Sequence, residues 1–285
     1  MTQPLTAPLE DTVAIVGVGL IGGSIAAAVR RRGVARRVIG VGRNRERLTG
    51  ALTVGLIDEI STDLIETAKT SSLIVFCTPV DDIVAGVRQI APHVAAETIL
   101  TDAGSVKAAL CGPLEEVPAF IGSHPIAGKE VSGYEHADSD LFVDRTCVVT
   151  PLPHHSAQQR TRLQRFWEAI GMRVVTMTPA DHDAVLARTS HVPHVVAAAV
   201  AAALPERDRP LTGTGFRSTT RIAAGPPDLW TGILSMNRDA VLAGIEQVQE
   251  RLSDFSTAIR NDNTDRLHQL LLDAKTARHR LDELS

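Results

Sequence analysis

The 285-residue sequence contains few aromatic residues, which make up 3% of it, and three cysteines, Cys77, Cys111 and Cys147. The cysteines are scattered and odd in number, so we expect reduced thiols, as in the cytoplasm, rather than a disulfide framework or a metal site. The formal net charge is -4 and no block of basic residues occurs. Both features argue against a nucleic-acid-binding protein.

Signals for secretion or membrane insertion are also missing from the sequence. Residues 1–11 contain no positive region followed by a hydrophobic segment, so we expect no secretion signal. No apolar run of membrane length is free of charged residues, so no association with a membrane is expected. Hydrophobic residues nonetheless make up 44% of the chain, which is enough for a large core built from Ala, Val, Leu and Ile.

One stretch, VAIVGVGLIGGS at residues 13–24, organises the N-terminal part of the chain. Its first four residues are small and apolar and predict a buried parallel strand. The glycines that follow match the G-x-G-x-x-G pattern of dinucleotide sites. The next helix would direct its free N–H groups at the pyrophosphate. We therefore predict that a dinucleotide contacts Gly17, Gly19, Leu20, Ile21 and Gly22.

Short strands alternate with helices up to about residue 177. This alternation predicts a Rossmann-like α/β domain over residues 1–177, with a doubly wound parallel sheet covered by helices on both faces. One of its strands is expected at residues 119–122. Ligands bind at the carboxyl ends of such strands. The residues expected there are Thr78, Pro79 and Asp102 at the cofactor, together with Ser105, Ser123 and His124.

An all-helical domain is predicted over residues 178–285. Residues 181–204 are apolar on almost every side, with a kink expected at Pro193. A helix of this kind is buried, here most simply against a partner chain. A second helix is expected from residue 228 to about 260, with an apolar stripe that packing within the chain explains equally well. A third helix is expected at about 264–284.

The end of the second predicted strand bears on the choice of nucleotide. NAD enzymes of this fold usually place an acidic residue about 20 residues beyond the glycines, where it binds the ribose 2′-hydroxyl. Here the strand ends in Gly42-Arg43 without an acid. An arginine can bind a 2′-phosphate, so the pattern favours NADP. The alternative is that Arg43 only stacks on the adenine and that NAD is used.

Three further side chains are candidates for binding or catalysis. His191 and His194 lie three residues apart on one helical face, and a metal pair is not expected because no third ligand has suitable spacing. Arg221 is flanked by apolar residues, so we expect it to be half-buried and to bind an anion, either an acidic side chain or a ligand carboxylate. A nicotinamide cofactor, a histidine base and this arginine together indicate a dehydrogenase acting on a hydroxyl-bearing carboxylic acid.

Several motifs now support a resemblance. They are TDAGSVK at 101–107, GSHPIAG at 122–128, His182-Asp183, SHVPH at 190–194, TRIA at 220–223 and DLW at 228–230. In these motifs and their order the chain resembles the prephenate dehydrogenase family, which includes arogenate and dual-specificity cyclohexadienyl dehydrogenases. The resemblance implies NAD(P)-dependent oxidative decarboxylation of prephenate to 4-hydroxyphenylpyruvate on the route to tyrosine. It also implies a homodimer formed through a helical domain that binds substrate.

The resemblance also implies roles for the residues that match its motifs. His124 would bond the ring hydroxyl of prephenate and accept its proton as hydride leaves for the nicotinamide. Ser105 would bond that hydroxyl or His124, and Arg221 would bind a substrate carboxylate. Because the predicted domains leave little chain on either side, we expect neither a regulatory ACT domain nor a chorismate mutase segment.

The same resemblance places four more side chains around the substrate. His191 would line the pocket, and His194 would lie where the product tyrosine can be sensed. Glu130 would belong to a polar network at the entrance. Lys129 stands where relatives often have a small residue and would reach the substrate side chain, which leaves prephenate versus arogenate open.

The residues argue against two other classes of protein. A 3-hydroxyacid dehydrogenase of the same two-domain build would use a lysine base in the helical domain, but residues 181–204 contain no lysine. A non-catalytic NADP-sensing module would have no need for His124, Ser105 and Arg221 together. Within the family, arogenate dehydrogenase is the alternative to prephenate dehydrogenase.

Overall fold

A computed structural model describes residues 7–129 and 131–283. Tertiary contacts divide the chain into two compact units, Met1–Asn237 and Arg238–Ser285. The first unit thus contains both sheets and the helices up to Asn237. The boundary after residue 177, which the sequence suggests, stays a prediction.

The strands of the first unit are β1 (Glu10–Val16), β2 (Ala35–Val41), β3 (Glu59–Ser61), β4 (Leu73–Phe76), β5 (Ile99–Asp102), β6 (Gly122–Pro125), β7 (Thr146–Thr150) and β8 (Arg173–Thr176). Its helices are α1 (Leu20–Arg31), α2 (Arg45–Thr53), α3 (Leu64–Thr70), α4 (Val80–Ile90), α5 (Ala108–Cys111), α6 (Ala157–Ala169), α7 (Pro179–Leu186), α8 (Val192–Ala202), α9 (Thr214–Thr220) and α10 (Pro227–Met236). The second unit consists of α11 (Arg238–Arg260) and α12 (Thr264–Asp282).

Strands β1 to β5 form one parallel sheet in the order β3-β2-β1-β4-β5. The order reverses at β1, as in doubly wound nucleotide-binding folds, and it brings the ends of β1 and β4 side by side. Successive residues of β1 enter two different buried clusters, Val13 and Ile15 one of them and Ala14 and Val16 the other. Both faces of the sheet are therefore covered, and the predicted Rossmann-like fold is confirmed.

The first strand of the second sheet differs from the sequence prediction. Its order is β6-β7-β8, with β6 antiparallel to β7 and β7 parallel to β8. The strand expected at residues 119–122 begins at Gly122, while Phe120 makes only an isolated bridge to Leu100. His124 therefore lies within a strand, paired with Val148, rather than in the loop after one.

The apolar stretch Pro179–Ala202 is not one regular helix. A π-helical turn, Ala187–His191, separates α7 from α8 and ends just before Pro193, whose missing N–H weakens the regular ladder there. In α8 the chain itself buries Val192, His194 and Ala197, but it leaves Val200 38% exposed. The expected burial on all sides is therefore not reached within one chain.

By length and composition alone, the same stretch is long and apolar enough to cross a membrane. The sequence prediction did not identify it because Arg188 interrupts its apolar run. Two of its buried polar residues, His182 and Asp183, hydrogen-bond to β6 and to the start of α5. These hydrogen bonds tie the start of the segment to the first unit of the chain.

The prediction of a single helix over residues 228–260 is also wrong. Helix α10 ends at Met236, and Asn237 leaves the helical conformation with φ -107° and ψ 33°. A new helix then begins at Arg238. The third predicted helix is present as α12, whose first turn is capped by Asn263 accepting from the Arg266 N–H.

Candidate active site

The glycine motif forms a tight turn between β1 and α1. Gly17 has φ +94°, and a Cβ there would lie 3.0 Å from the carbonyl group of Cys77. A Cβ on Gly22 would lie 2.1 Å from the Gly17 oxygen, so only glycine fits at either position. Beside Gly19 there is open space within 4 Å of the Cβ position. This cradle of exposed backbone fits a pyrophosphate.

The start of α1 completes that cradle. Gly19 occupies the N-cap position, and no side chain caps the first N–H groups of the helix. Leu20 and Ile21 follow as the first helical residues. Uncapped N–H groups at a helix N-terminus bind anions through hydrogen bonds and the helix dipole. The five motif residues predicted to contact the cofactor therefore lie at a position that suits an anionic pyrophosphate.

Thr78 and Pro79 follow β4, at the strand end beside the glycine turn. The Thr78 hydroxyl is buried without a hydrogen-bond partner in the described part of the chain, and its Cγ2 would be 3.1 Å from a Cβ on Gly17. Pro79 is exposed at the N-terminus of α4. An unpaired buried hydroxyl is costly, which favours a ligand at this position.

Arg43 lies in the loop after β2 with its side chain 96% exposed. Its Nη2 atom is 3.7 Å from Asp82 Oδ2. An exposed ion pair at that distance is weak, so Arg43 can leave Asp82 for a phosphate without a large cost.

Asp102 is a structural acid rather than a group that faces a cofactor. Its carboxylate and the Lys107 ammonium form an ion pair in which both side chains are 0% exposed. Asp102 also accepts from the N–H groups of Gly104 (2.8 Å) and Ser123 (2.9 Å), while Lys107 Nζ donates to the Ser123 carbonyl (2.8 Å). The expected cofactor contact of the Asp102 side chain is therefore wrong, because its oxygens are used to fix β6.

His124 lies on β6 and is buried next to two residues of α7. Its Nδ1 atom is 2.8 Å from His182 Nε2, and His182 Nδ1 is 2.7 Å from Asp183 Oδ1. Asp183 also accepts from the backbone N–H groups of Lys107 (2.7 Å) and Ala108 (2.9 Å). A chain of hydrogen bonds thus runs from His124 to a buried carboxylate, and we call these three residues the His124–His182–Asp183 relay.

The protonation states in the relay follow from its surroundings. Burial lowers the pKa of His124 well below its ordinary value, with His182, Lys107 and His191 adding to the effect. Burial works to raise the pKa of the Asp183 carboxyl, but the hydrogen bonds from His182, Lys107 and Ala108 outweigh it, and the pKa is lowered. His124 is therefore neutral at neutral pH, and Asp183 is ionised.

His191 and His194 are both buried around Trp230. Asn237 Nδ2 donates to the Asp183 carbonyl (2.8 Å) and lies 3.1 Å from His191 Nδ1. Since that nitrogen can only donate, His191 accepts at Nδ1 and carries its proton on Nε2. Burial above all lowers the His191 pKa to about 4. His194 stacks on Trp230 with ring centroids 3.5 Å apart, and its Nδ1 is buried without a partner in the part of the chain that the structure describes.

The remaining predicted residues are less closely organised. Arg221 is exposed at the start of a 3₁₀ turn, so the expected half-burial is wrong. Ser105 is half-buried in the loop after β5, and no hydrogen bond joins it to His124, whose Nδ1 is bonded to His182. Lys129 Nζ forms a half-exposed ion pair with Asp138 at 3.0 Å. Glu130 lies outside the described residues.

Sequence reasoning assigned no role to Lys107, His182, Asp183 or Asn237. Each is a polar or charged residue that is buried and satisfied by another polar group. The available signal was their position: Lys107 follows Asp102 in the TDAGSVK motif, and His182-Asp183 lies near the start of a largely apolar segment. A charged residue in an apolar run needs a buried partner.

The parallel sheet, the glycine cradle and the buried histidine relay together define a nucleotide-dependent α/β enzyme with a helical second part. Two family models cover nearly the whole chain: the prephenate dehydrogenase nucleotide-binding domain matches residues 25–176, and the prephenate dehydrogenase dimerization domain matches residues 178–273. The chain belongs to the prephenate dehydrogenase family.

Individual relatives agree with this assignment. The chain is 30% identical to a prephenate dehydrogenase of Bacillus subtilis, over 95% of this chain and 76% of the relative. It is 31% identical to a cyclohexadienyl dehydrogenase of Zymomonas mobilis, over 93% and 94% of the two chains.

Solved structures show the same likeness in three dimensions. Prephenate dehydrogenase from Aquifex aeolicus, in complex with hydroxyphenyl propionate and NAD+, aligns with a TM-score of 0.89 at 31% identity, covering 95% of this chain and 98% of that one. Synechocystis arogenate dehydrogenase aligns with a TM-score of 0.83 at 33% identity, covering 95% and 99%.

Proposed function

We propose that this protein is an NAD(P)-dependent prephenate dehydrogenase that converts prephenate to 4-hydroxyphenylpyruvate and CO2 in tyrosine biosynthesis. The observation that carries the proposal is His124, neutral and buried at 2.8 Å from His182, in a chain of this family. A neutral imidazole held in a fixed orientation is suited to take a proton from a hydroxyl group.

The residues would divide the chemistry as follows. A bound nicotinamide supplies the hydride acceptor. His124 accepts the proton of the ring hydroxyl, and it can return that proton to the phenolate oxygen that forms once CO2 has left. Ser105 would hold the same hydroxyl, and Arg221 would bind a substrate carboxylate. Because an aromatic ring results, the overall step is effectively irreversible.

The pocket walls would come from the helices after β8. His191, with its proton on Nε2, offers a hydrogen-bond donor, while His194 is stacked on Trp230 and has an unpaired Nδ1. His194 would then meet substrate or product tyrosine. Lys129 and Glu130 would lie at the entrance, where the Lys129–Asp138 pair bears on the choice between prephenate and arogenate.

Cofactor preference and assembly are part of the proposal. The glycine cradle, Thr78 and Pro79 would hold the dinucleotide, and Arg43 would bind the 2′-phosphate of NADP in preference to NAD. Residues 178–285 would form the dimerisation domain of a homodimer, supported by the half-exposed apolar side of α8. A cytoplasmic location stays a prediction.

A substrate-by-cofactor assay tests the proposal. Purified protein is given prephenate or arogenate with NAD or NADP, and reduced nicotinamide is followed by its absorbance. The expected result is turnover of prephenate, faster with NADP than with NAD. Turnover of arogenate alone would transfer the assignment to arogenate dehydrogenase, and no turnover of either compound would refute it.

A further inference from the structure

The hydrogen bonds of the His124–His182–Asp183 relay constrain which ring nitrogens carry protons, and this constraint begins at the Asp183 carboxylate. Each oxygen of Asp183 accepts a backbone N–H, from Lys107 at 2.7 Å and from Ala108 at 2.9 Å. Backbone amides can only donate, so both carboxylate oxygens act as acceptors. His182 Nδ1, 2.7 Å from Oδ1, must therefore be the donor in that contact.

The next contact follows from the first. A neutral imidazole has one N–H and one lone pair, so His182 with its proton on Nδ1 presents a lone pair at Nε2. His124 Nδ1 lies 2.8 Å from that atom and must supply the proton. The Nε2 atom of His124 then carries a lone pair.

We propose that His182 is a positioning residue that fixes the tautomer of His124, with the proton on Nδ1 and the lone pair on Nε2 as the base. This inference rests on the proposed function, in which His124 accepts the substrate proton. The opposite tautomer would present an N–H to the substrate hydroxyl and could not accept its proton. The strand backbone of His124, paired with Val148, and the fully buried ring of His182 leave little freedom for another arrangement.

Other enzymes with a catalytic histidine set an upper limit on the loss of kcat expected when His182 is replaced. Loss of the group that sets the tautomer of a base histidine lowers kcat by up to about 10⁴-fold in serine proteases. His182 is one of several contacts around His124. We therefore expect a loss on the order of 10²–10³-fold for His182→Leu, below that limit.

The test combines spectroscopy with kinetics on the full-length protein. Long-range ¹H–¹⁵N spectra of protein labelled at histidine nitrogen report which ring nitrogen carries the proton, and the His124 signals are assigned by their loss in His124→Asn. We expect Nδ1–H in wild type. His182→Leu should change the tautomer population and lower kcat, while His182→Gln, whose amide oxygen can accept near the former Nε2, should restore much of both.

A matched control is available in His155, another buried histidine, whose Nδ1 accepts from the Leu152 N–H at 2.8 Å. His155→Leu should leave the His124 tautomer and kcat unchanged, although it should lower the stability of the protein. The wild-type spectrum needs no substrate and no turnover, so it separates this inference from the proposed function. A His124 proton on Nε2 in wild type, or full kcat in a folded His182→Leu protein, would overturn the inference.

Discussion

Replacing Lys107 by methionine should destabilise the protein strongly while keeping the volume of the side chain. Lys107 and Asp102 are both 0% exposed, and the Lys107 ammonium also donates to the Ser123 carbonyl at 2.8 Å. The substitution leaves the Asp102 carboxylate buried with only backbone N–H partners. Breaking a buried pair by removing one partner costs about 3–5 kcal/mol, which corresponds to a Tm lower by roughly 6–20 °C for a unit of this size.

Urea denaturation followed by circular dichroism measures that loss. Lys129→Met is the matched control, because it also removes a lysine from an ion pair with an aspartate, but the Lys129–Asp138 pair is half-exposed. An exposed pair contributes about 0–1 kcal/mol. If Lys107→Met and Lys129→Met lower the free energy of unfolding by the same amount, the buried pair does not hold β6 in the way described here.

Three other predictions concern cofactor, assembly and pH. Arg43→Ala should weaken NADP binding far more than NAD binding in fluorescence titrations, and an equal loss for both would remove the 2′-phosphate contact. Val200→Asp should dissociate the proposed homodimer, as measured by light scattering, and should lower activity; a fully active wild-type monomer at micromolar concentration would contradict the proposed interface. Because the folded-state pKa values of His191 and His155 are lowered to about 4, the unfolded chain binds more protons between about pH 6.5 and pH 4. The free energy of unfolding should therefore fall as pH drops through that window, and a flat profile there would show that these histidines are not buried in the neutral form.

The glycine turn was predictable because its constraints are local. Gly17 has a positive φ, and Gly22 passes close to the Gly17 oxygen. Glycine at these two fixed positions of the motif meets both requirements. The parallel pairing of the first sheet was predictable from the alternation of strands and helices. The start of β6 was not predictable in this way, because Asp102 and Lys107 hold the backbone of Ser123 from another part of the chain.

The relay and the helix break at Asn237 could not be predicted from the sequence either, because both depend on contacts between residues far apart in the chain. His124 and His182 are separated by 58 residues, and no periodicity links them. The apolar spacing continues across Asn237, but its amide group binds the Asp183 carbonyl and His191 instead of extending a helix. Arg221 was expected to be half-buried because its sequence neighbours are apolar, yet sequence neighbours in a 3₁₀ turn do not determine exposure.

The kinetics of His124→Asn test the central claim most directly. Removal of a general base lowers kcat by about 10²–10⁴-fold, so we expect a loss in that range with prephenate, while the dissociation constant of the nicotinamide cofactor stays unchanged. A variant that keeps its rate, or that loses cofactor binding together with its rate, would contradict the assignment of His124 as the base.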